Sequence, residues 1–183
     1  MTRIHEYPEP AVLQTCIDFP SPETHPHSLE HMFQELKEAC TKHQGAGLAG
    51  NQLGWAVRIL VYRDAQKELQ GLINPRITET SEETSEALEG CLSLPGVQVK
   101  ITRPNEIVVE ALNEAAHPVT LISLGMEARA IQHEIDHLDG KLIIDSLGRL
   151  DRKMVVDKFI KNRTKYFRRE RQALRRIDLK RVA

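Results

Sequence analysis

The sequence predicts an α+β fold, with helices segregated from antiparallel strands. Three observations carry the prediction. Two stretches, around residues 29–40 and 124–138, repeat apolar residues at helical spacing. Between them lie several short β-rich runs bounded by turn residues, with no helical stretch among them. From about Leu150 a further helical pattern sets in. The architecture expected is antiparallel β-sheets around a central helix, followed by a long C-terminal helix.

The elements follow in chain order. Residues 1–27 are rich in Pro, Glu, Thr and His and read as an irregular N-terminal segment. Ser28 has the chemistry of an N-cap. Leu29, Met32, Phe33, Leu36, Ala39 and Cys40 then mark an amphipathic helix of about four turns. Cys40 falls on its apolar face and reads as core packing. The run Gly45-Ala46-Gly47-Leu48-Ala49-Gly50-Asn51-Gln52-Leu53-Gly54 is too rich in glycine to stay regular, and it lets the backbone come close to another group. Val57–Tyr62 is β-rich, and Leu72–Pro75 ends another such run. Residues 77–89 are polar and acidic and read as an exposed connection. Val97–Thr102, Glu106–Leu112 and Pro118–Ser123 read as strands, with Asn113 in a hairpin turn. Leu124–Leu138 is a helix with Ile131, Ile135 and Leu138 on one stripe, ended by Asp139-Gly140. Leu142–Ile144 reads as a short strand. Met154, Val155, Phe159, Ile160 and Phe167 mark the last helix.

A chain of 183 residues suits one domain with an appendage and can bury a core without staples. Its 40% apolar and 28% charged residues are those of a soluble globular protein. No apolar run is long enough to span a membrane, and the start has no apolar segment of a secretory signal. Three cysteines without a C-x-x-C pair suit a reducing compartment, so a cytoplasmic location without membrane contact is expected. The net charge of −1 is unevenly spread: residues 151–183 hold 13 Lys/Arg against 4 Asp/Glu, and the rest hold 12 against 22. The expected organisation is a catalytic domain over 1–150 and a basic helix or tail over 151–183.

The chemistry concentrates in His133-Glu134-Ile135-Asp136-His137, an H-E-x-x-H motif. Residues four apart share one helix face, so both imidazoles can hold one metal ion. Glu134, beside the first of them, can act as general base on a water that the metal activates. Composition alone would produce the motif by chance in roughly 3 of 100 such chains, so it needs context. A hydrolytic metal site also needs a third protein ligand. No histidine follows His137. Upstream candidates include Cys91, after a glycine in Glu89-Gly90-Cys91-Leu92-Ser93. The other histidines, His5, His25, His27, His31, His43 and His117, have no ligand spacing.

Three segments together resemble the signature motifs of peptide deformylases: Gly45-x-Gly47-Leu48-Ala49-x-x-Gln52, Glu89-Gly90-Cys91-Leu92-Ser93 and Gln132-His133-Glu134-x-Asp136-His137-Leu138. The resemblance covers about residues 5–150, with Gly50 in place of the family's usual alanine and Gln14 in place of its usual arginine. It implies an enzyme that removes the formyl group from N-formylmethionyl nascent peptides and releases formate. It implies one divalent metal, Fe(II) in many bacterial members, with zinc, nickel or cobalt also able to occupy the site. The implied ligands are Cys91, His133 and His137.

Chemistry and resemblance then assign roles. Glu134 takes a proton from water and passes it to the leaving amine. The side-chain NH2 of Gln52 and the backbone N–H of Leu92 meet the oxyanion, where losing one donor costs ~10²–10³ in rate. The glycine run, with Gly45, Ala46 and Gly47, can lie along an extended peptide like an added strand. Gly90 joins this substrate-binding set, and Leu92, Met126, Ala130 and the ring of His133 line the family's methionine pocket. Glu89 and Asp136 read either as partners of the ligand histidines or as surface ion pairs, and Arg103 either as a carboxylate holder or as exposed. The basic tail is a candidate anchor to the ribosome. Two rival readings are a zinc endopeptidase of the H-E-x-x-H type and a non-catalytic ribosome-associated metal-binding module.

Overall fold

The structure, a computed structural model, describes residues 3–20 and 28–164. The chain divides after Ile143 into two compact units. In the first, helix α1 (Leu29–Lys42) is followed by strands β1 (Gly47–Ala49), β2 (Ile59–Arg63), β3 (Leu69–Thr80), β4 (Thr84–Gly90), β5 (Gln98–Pro104), β6 (Glu106–Leu112) and β7 (Pro118–Leu124), then by helix α2 (Gly125–Leu138). Five strands form one antiparallel sheet in the order β1-β2-β3-β6-β7, and β4 pairs with β5 in a second.

The larger sheet is filled from both faces. Side chains alternate across a strand, so Leu60 and Tyr62 of β2 join Ala128, Ile131, Ile135 and Leu138 of α2. Ile59 and Val61 join Met32, Phe33, Leu36 and Cys40 of α1. Burial on both faces explains why β2 reads as an unbroken apolar run. The Ser28 side chain accepts a hydrogen bond from the His31 N–H at 3.2 Å and caps α1. Gly140, at φ 72°, follows the end of α2. The side chain of Asn113 accepts from the N–H groups of Ala115 and His117, closing the β6–β7 hairpin.

Two sequence expectations need correction. Residues 77–89 are not a connection: they form the end of β3 and nearly all of β4. Most side chains here are exposed, so the apolar alternation that marks a half-buried strand is missing. Pairing with β6 and β5 supplies the order instead. Leu142–Ile144 is not a strand either; Ile143–Ser146 is a 3-10 helix. A short apolar run does not by periodicity distinguish a strand from a helical turn.

The N-terminal segment holds a 3-10 turn at Pro10–Val12 and a parallel bridge from Ile17 to Val57. In the second unit residues 149–164 are helical, with a Lys153–Asp157 ion pair of 3.0 Å one turn apart. The remainder of the expected C-terminal helix, including Phe167, lies outside the described residues.

Candidate metal centre

α2 presents His133 and His137 on one face, as their spacing requires, with ring centroids 5.1 Å apart. Cys91 follows the last residue of β4, and its Sγ lies 3.1 Å from His137 Nε2. One donor atom from each of Cys91, His133 and His137 lies within 4.8 Å of the others. The outer nitrogen of His133, Nδ1, is 3.0 Å from Glu89 Oε2. An ionised carboxylate only accepts, so Nδ1 donates to it and Nε2 is the nitrogen left to face the centre.

Glu89 is 6% exposed and is nonetheless held as an anion. Burial opposes its ionisation, but hydrogen bonds from His133 and Arg103, the Arg103 charge and a hydrogen bond from Arg129 hold the carboxyl down at about 2. Arg103 reaches it through Nε at 2.7 Å and a second N–H at 3.0 Å, and Arg129 at 2.6 Å. Arg103 also pairs with Asp136 at 2.8 Å. The alternatives open in the sequence therefore separate: Glu89 backs a histidine, whereas Asp136 pairs with an arginine. Arg129, which the sequence reading passed over, is a buried partner of the same carboxylate.

The donor set fits a divalent ion. Burial opposes loss of the Cys91 proton, but the charge of His137 and hydrogen bonds from both histidines bring the thiol from 9.0 down to about 5. A thiolate and two imidazoles converging on one point form an S-N-N set that suits several transition metals. The Glu134 carboxyl is buried beside it and raised by that burial, against the pull of the two histidines. Its Oε2 is buried with no hydrogen-bond partner among the described residues. By contrast, burial pushes the Cys40 thiol up to about 12, which suits its place in the core.

The glycine run brings backbone against this carboxyl. A Cβ on Gly47 would lie 2.6 Å from Glu134 Oε1 and 2.9 Å from the Val61 carbonyl oxygen, so nothing larger than glycine fits. Gly50 has its own reason: a Cβ there would lie 2.9 Å from Ile59 Cγ1. Asn51, also unassigned from sequence, donates to the His137 carbonyl at 2.5 Å and ties the run to α2. Gln52 Oε1 accepts from the Ala49 N–H at 2.9 Å, and its Nε2 donates to Ser93 Oγ at 3.0 Å. The carbonyl of Gly45 accepts from Arg63 Nε, and that of Ala46 from the Arg63 N–H. Gly47 belongs to β1, an edge strand of the large sheet, and Gly90 ends β4 opposite Gln98. Ala130 is buried, Leu92 is half-buried, and Met126 is 72% exposed, which leaves that side of the expected methionine pocket open to solvent.

A sequence model described as polypeptide deformylase matches residues 1–153. The chain belongs to the polypeptide deformylase family. Among similar members, the peptide deformylase of Natranaerobius thermophilus is 44% identical over 117 residues, which cover 64% of this chain and 75% of the relative. That of Elusimicrobium minutum is 40% identical over 154 residues, covering 78% and 85%. The crystal structure of peptide deformylase from Ehrlichia chaffeensis superposes with a TM-score of 0.83 at 28% identity, covering 90% of this chain and 98% of that one. A structure of the enzyme from the same organism in complex with actinonin superposes at 0.81 with 29% identity, covering 87% and 96%. Family membership makes this chain a metal-dependent deformylase, and its Cys-His-His cluster fits the metal site such an enzyme needs. The α+β fold expected from the sequence is the fold of these deformylases.

Proposed function

We propose that this chain hydrolyses the formamide of N-formylmethionyl peptides and releases formate, with Cys91, His133 and His137 holding one divalent ion. The observation that carries the proposal is the convergence of those three donors beside the buried, uncommitted Oε2 of Glu134. The bound ion supplies Lewis acidity toward the formyl oxygen and toward the attacking water. Glu134 takes the proton of that water and delivers it to the leaving amine; its raised pKa suits a group that must both accept and give. Gln52, through its remaining amide N–H, and Leu92, through its backbone N–H, donate to the developing oxyanion. The open edge of β1 pairs with the extended substrate, and Leu92, Met126, Ala130 and the His133 ring receive the methionine side chain.

Fe(II) is the native ion in this reading, with zinc, nickel and cobalt as alternatives that an S-N-N set accepts. The enzyme works in the cytoplasm; among the described residues no helix is long and apolar enough to cross a membrane. Residues 1–150 form the catalytic domain. Residues 151–183, with 13 Lys/Arg against 4 Asp/Glu, form an electrostatic anchor to the ribosome. Truncation after Asn162 should leave turnover of short formyl peptides unchanged and weaken ribosome co-sedimentation as salt rises; equal co-sedimentation of both forms across a salt series would remove the anchor.

The endopeptidase reading needs a His or Glu as third ligand, whereas the third donor beside the two imidazoles is Cys91. A closed structural site has no use for the buried free oxygen of Glu134. The deciding experiment is formate release from formyl-Met-Ala-Ser by anaerobically purified protein, with metal analysis of the same sample. Cleavage of acetyl-Met-Ala-Ser or of internal peptide bonds at comparable rates would overturn the proposal.

A further inference from the structure

Gln52 sits in the 3-10 turn Gly50–Leu53, directly after β1. Its amide has two unlike ends, and which end meets an oxyanion decides between attraction and repulsion. Two contacts determine that choice. The Ala49 N–H can only donate, so the amide end it meets at 2.9 Å is the oxygen. At the other end Nε2 meets Ser93 Oγ at 3.0 Å, while Ser93 Oγ gives its single proton to the His5 carbonyl at 2.8 Å. Toward Gln52 the hydroxyl therefore offers only lone pairs. A flipped amide would oppose N–H to N–H at Ala49 and oxygen to lone pairs at Ser93. Both residues are buried, Ser93 fully and Gln52 to within 2%, so water does not relieve either mismatch.

The His5 carbonyl is itself held. The His5 N–H donates to the Gln52 carbonyl at 2.7 Å, and the Tyr7 N–H donates to the Ser93 carbonyl at 2.9 Å. Glu9 accepts from the Arg3 guanidinium at 2.6 Å and contacts the His5 ring at 2.7 Å. Residues 3–9 thus form a strap stitched to both loops that carry the proposed oxyanion donors, Gln52 on one and Leu92, next to Ser93, on the other. A backbone carbonyl does the work at position 5, so the identity of that side chain is secondary. Position 93 needs a group that accepts and donates at once, which a hydroxyl does.

We propose that Ser93, backed by the His5 carbonyl, is a positioning residue that keeps the NH2 of Gln52 turned toward the reacting oxygen. The proposal rests on the reading of Gln52 as an oxyanion donor given above. The test is a double-mutant cycle on the metal-loaded full chain with formyl-Met-Ala-Ser as substrate. Ser93→Ala should lower kcat about tenfold, less than the ~10²–10³ expected for loss of the donor itself, and leave KM within about twofold. In a Gln52→Ala background the same substitution should cost less than about twofold, because nothing remains to be oriented. Independent, multiplicative losses, an effect on KM alone, or no effect would each overturn the proposal. If Ser93→Ala does not yield folded protein, Ser93→Cys keeps a side chain there, weakens both hydrogen bonds and reads the same cycle. A second readout needs no turnover: the side-chain 15N–H signals of Gln52, assigned by their loss in Gln52→Ala. Hydrogen exchange of these protons should quicken about tenfold or more in the Ser93 variant, and unchanged exchange would overturn the positioning role. A wild-type chain inactive on formyl peptides would overturn the deformylase reading alone, leaving the exchange measurement to decide the role of Ser93.

Discussion

Gly47→Ala tests the placement of Glu134 without touching any chemical group. The added Cβ would lie 2.6 Å from Glu134 Oε1, 2.7 Å from Glu134 Cγ and 2.9 Å from the Val61 carbonyl oxygen, where ordinary contact begins at 3.4 Å. The Val61 carbonyl belongs to the β1–β2 pairing and cannot yield without breaking the ladder. The Glu134 side chain is the part that can yield, and its carboxylate has to move by about 0.8 Å, while the Val61 contact is left to a small shift of the β1 backbone. A misplacement near 1 Å of a reacting group costs on the order of 10²-fold in rate. Overpacking of this kind also destabilises by about 1–3 kcal/mol. The expected result is a loss of about 10² in kcat/KM on formyl-Met-Ala-Ser, a melting temperature lowered by several degrees and an unchanged metal content, since Gly47 touches no ligand. Activity within threefold of wild type in a folded, metal-loaded variant would mean that Glu134 is not the proton carrier in the position described.

Glu134→Gln keeps the shape and the three proposed ligands but removes the proposed proton carrier; kcat should fall by ~10²–10⁴ while metal analysis stays at one ion per chain. Glu89→Ala leaves Arg103 and Arg129 buried without their shared carboxylate and frees the His133 ring. Stability should fall by about 3–5 kcal/mol in denaturant titration, and metal affinity by about 10–100-fold in competition with a chelator. Glu9 is held down from 4.5 to about 2, because hydrogen bonds from His5 and Arg3 outweigh burial. A carboxyl with a depressed folded-state pKa contributes stability above its unfolded value and loses it as pH falls through the folded one. The difference in melting temperature between wild type and Glu9→Gln should therefore be full above pH 4.5 and vanish near pH 2; a difference that persisted at pH 2 would detach Glu9 from the strap's stability.

Helix periodicity, capping and turn chemistry are local, and what depends on them was legible in the sequence. Ser28 and the apolar stripe from Leu29 to Cys40 specify α1, Asn113 specifies its hairpin turn, and the spacing of His133 and His137 puts both imidazoles on one helix face whatever surrounds it. The motif order also made the family legible, because three short segments of fixed spacing carry it. What could not be read locally is whatever needs a partner distant in the chain. Residues 77–89 lack apolar alternation and become strands because β6 and β5 offer their edges. Cys91 lies 46 residues from His137, and only the meeting of β4 with α2 turns the two into neighbours. Glu89 and Asp136 are both acidic residues within motifs, yet one is buried under two arginines and a histidine and the other half-exposed beside one arginine, a difference that burial creates. Arg129 and Ser93 look ordinary in the sequence for the same reason. Local spacing determines which groups can act together on one element; the direction of an amide, the ionisation of a carboxylate and the space left for a glycine are decided by contacts that exist only once the chain has closed on itself.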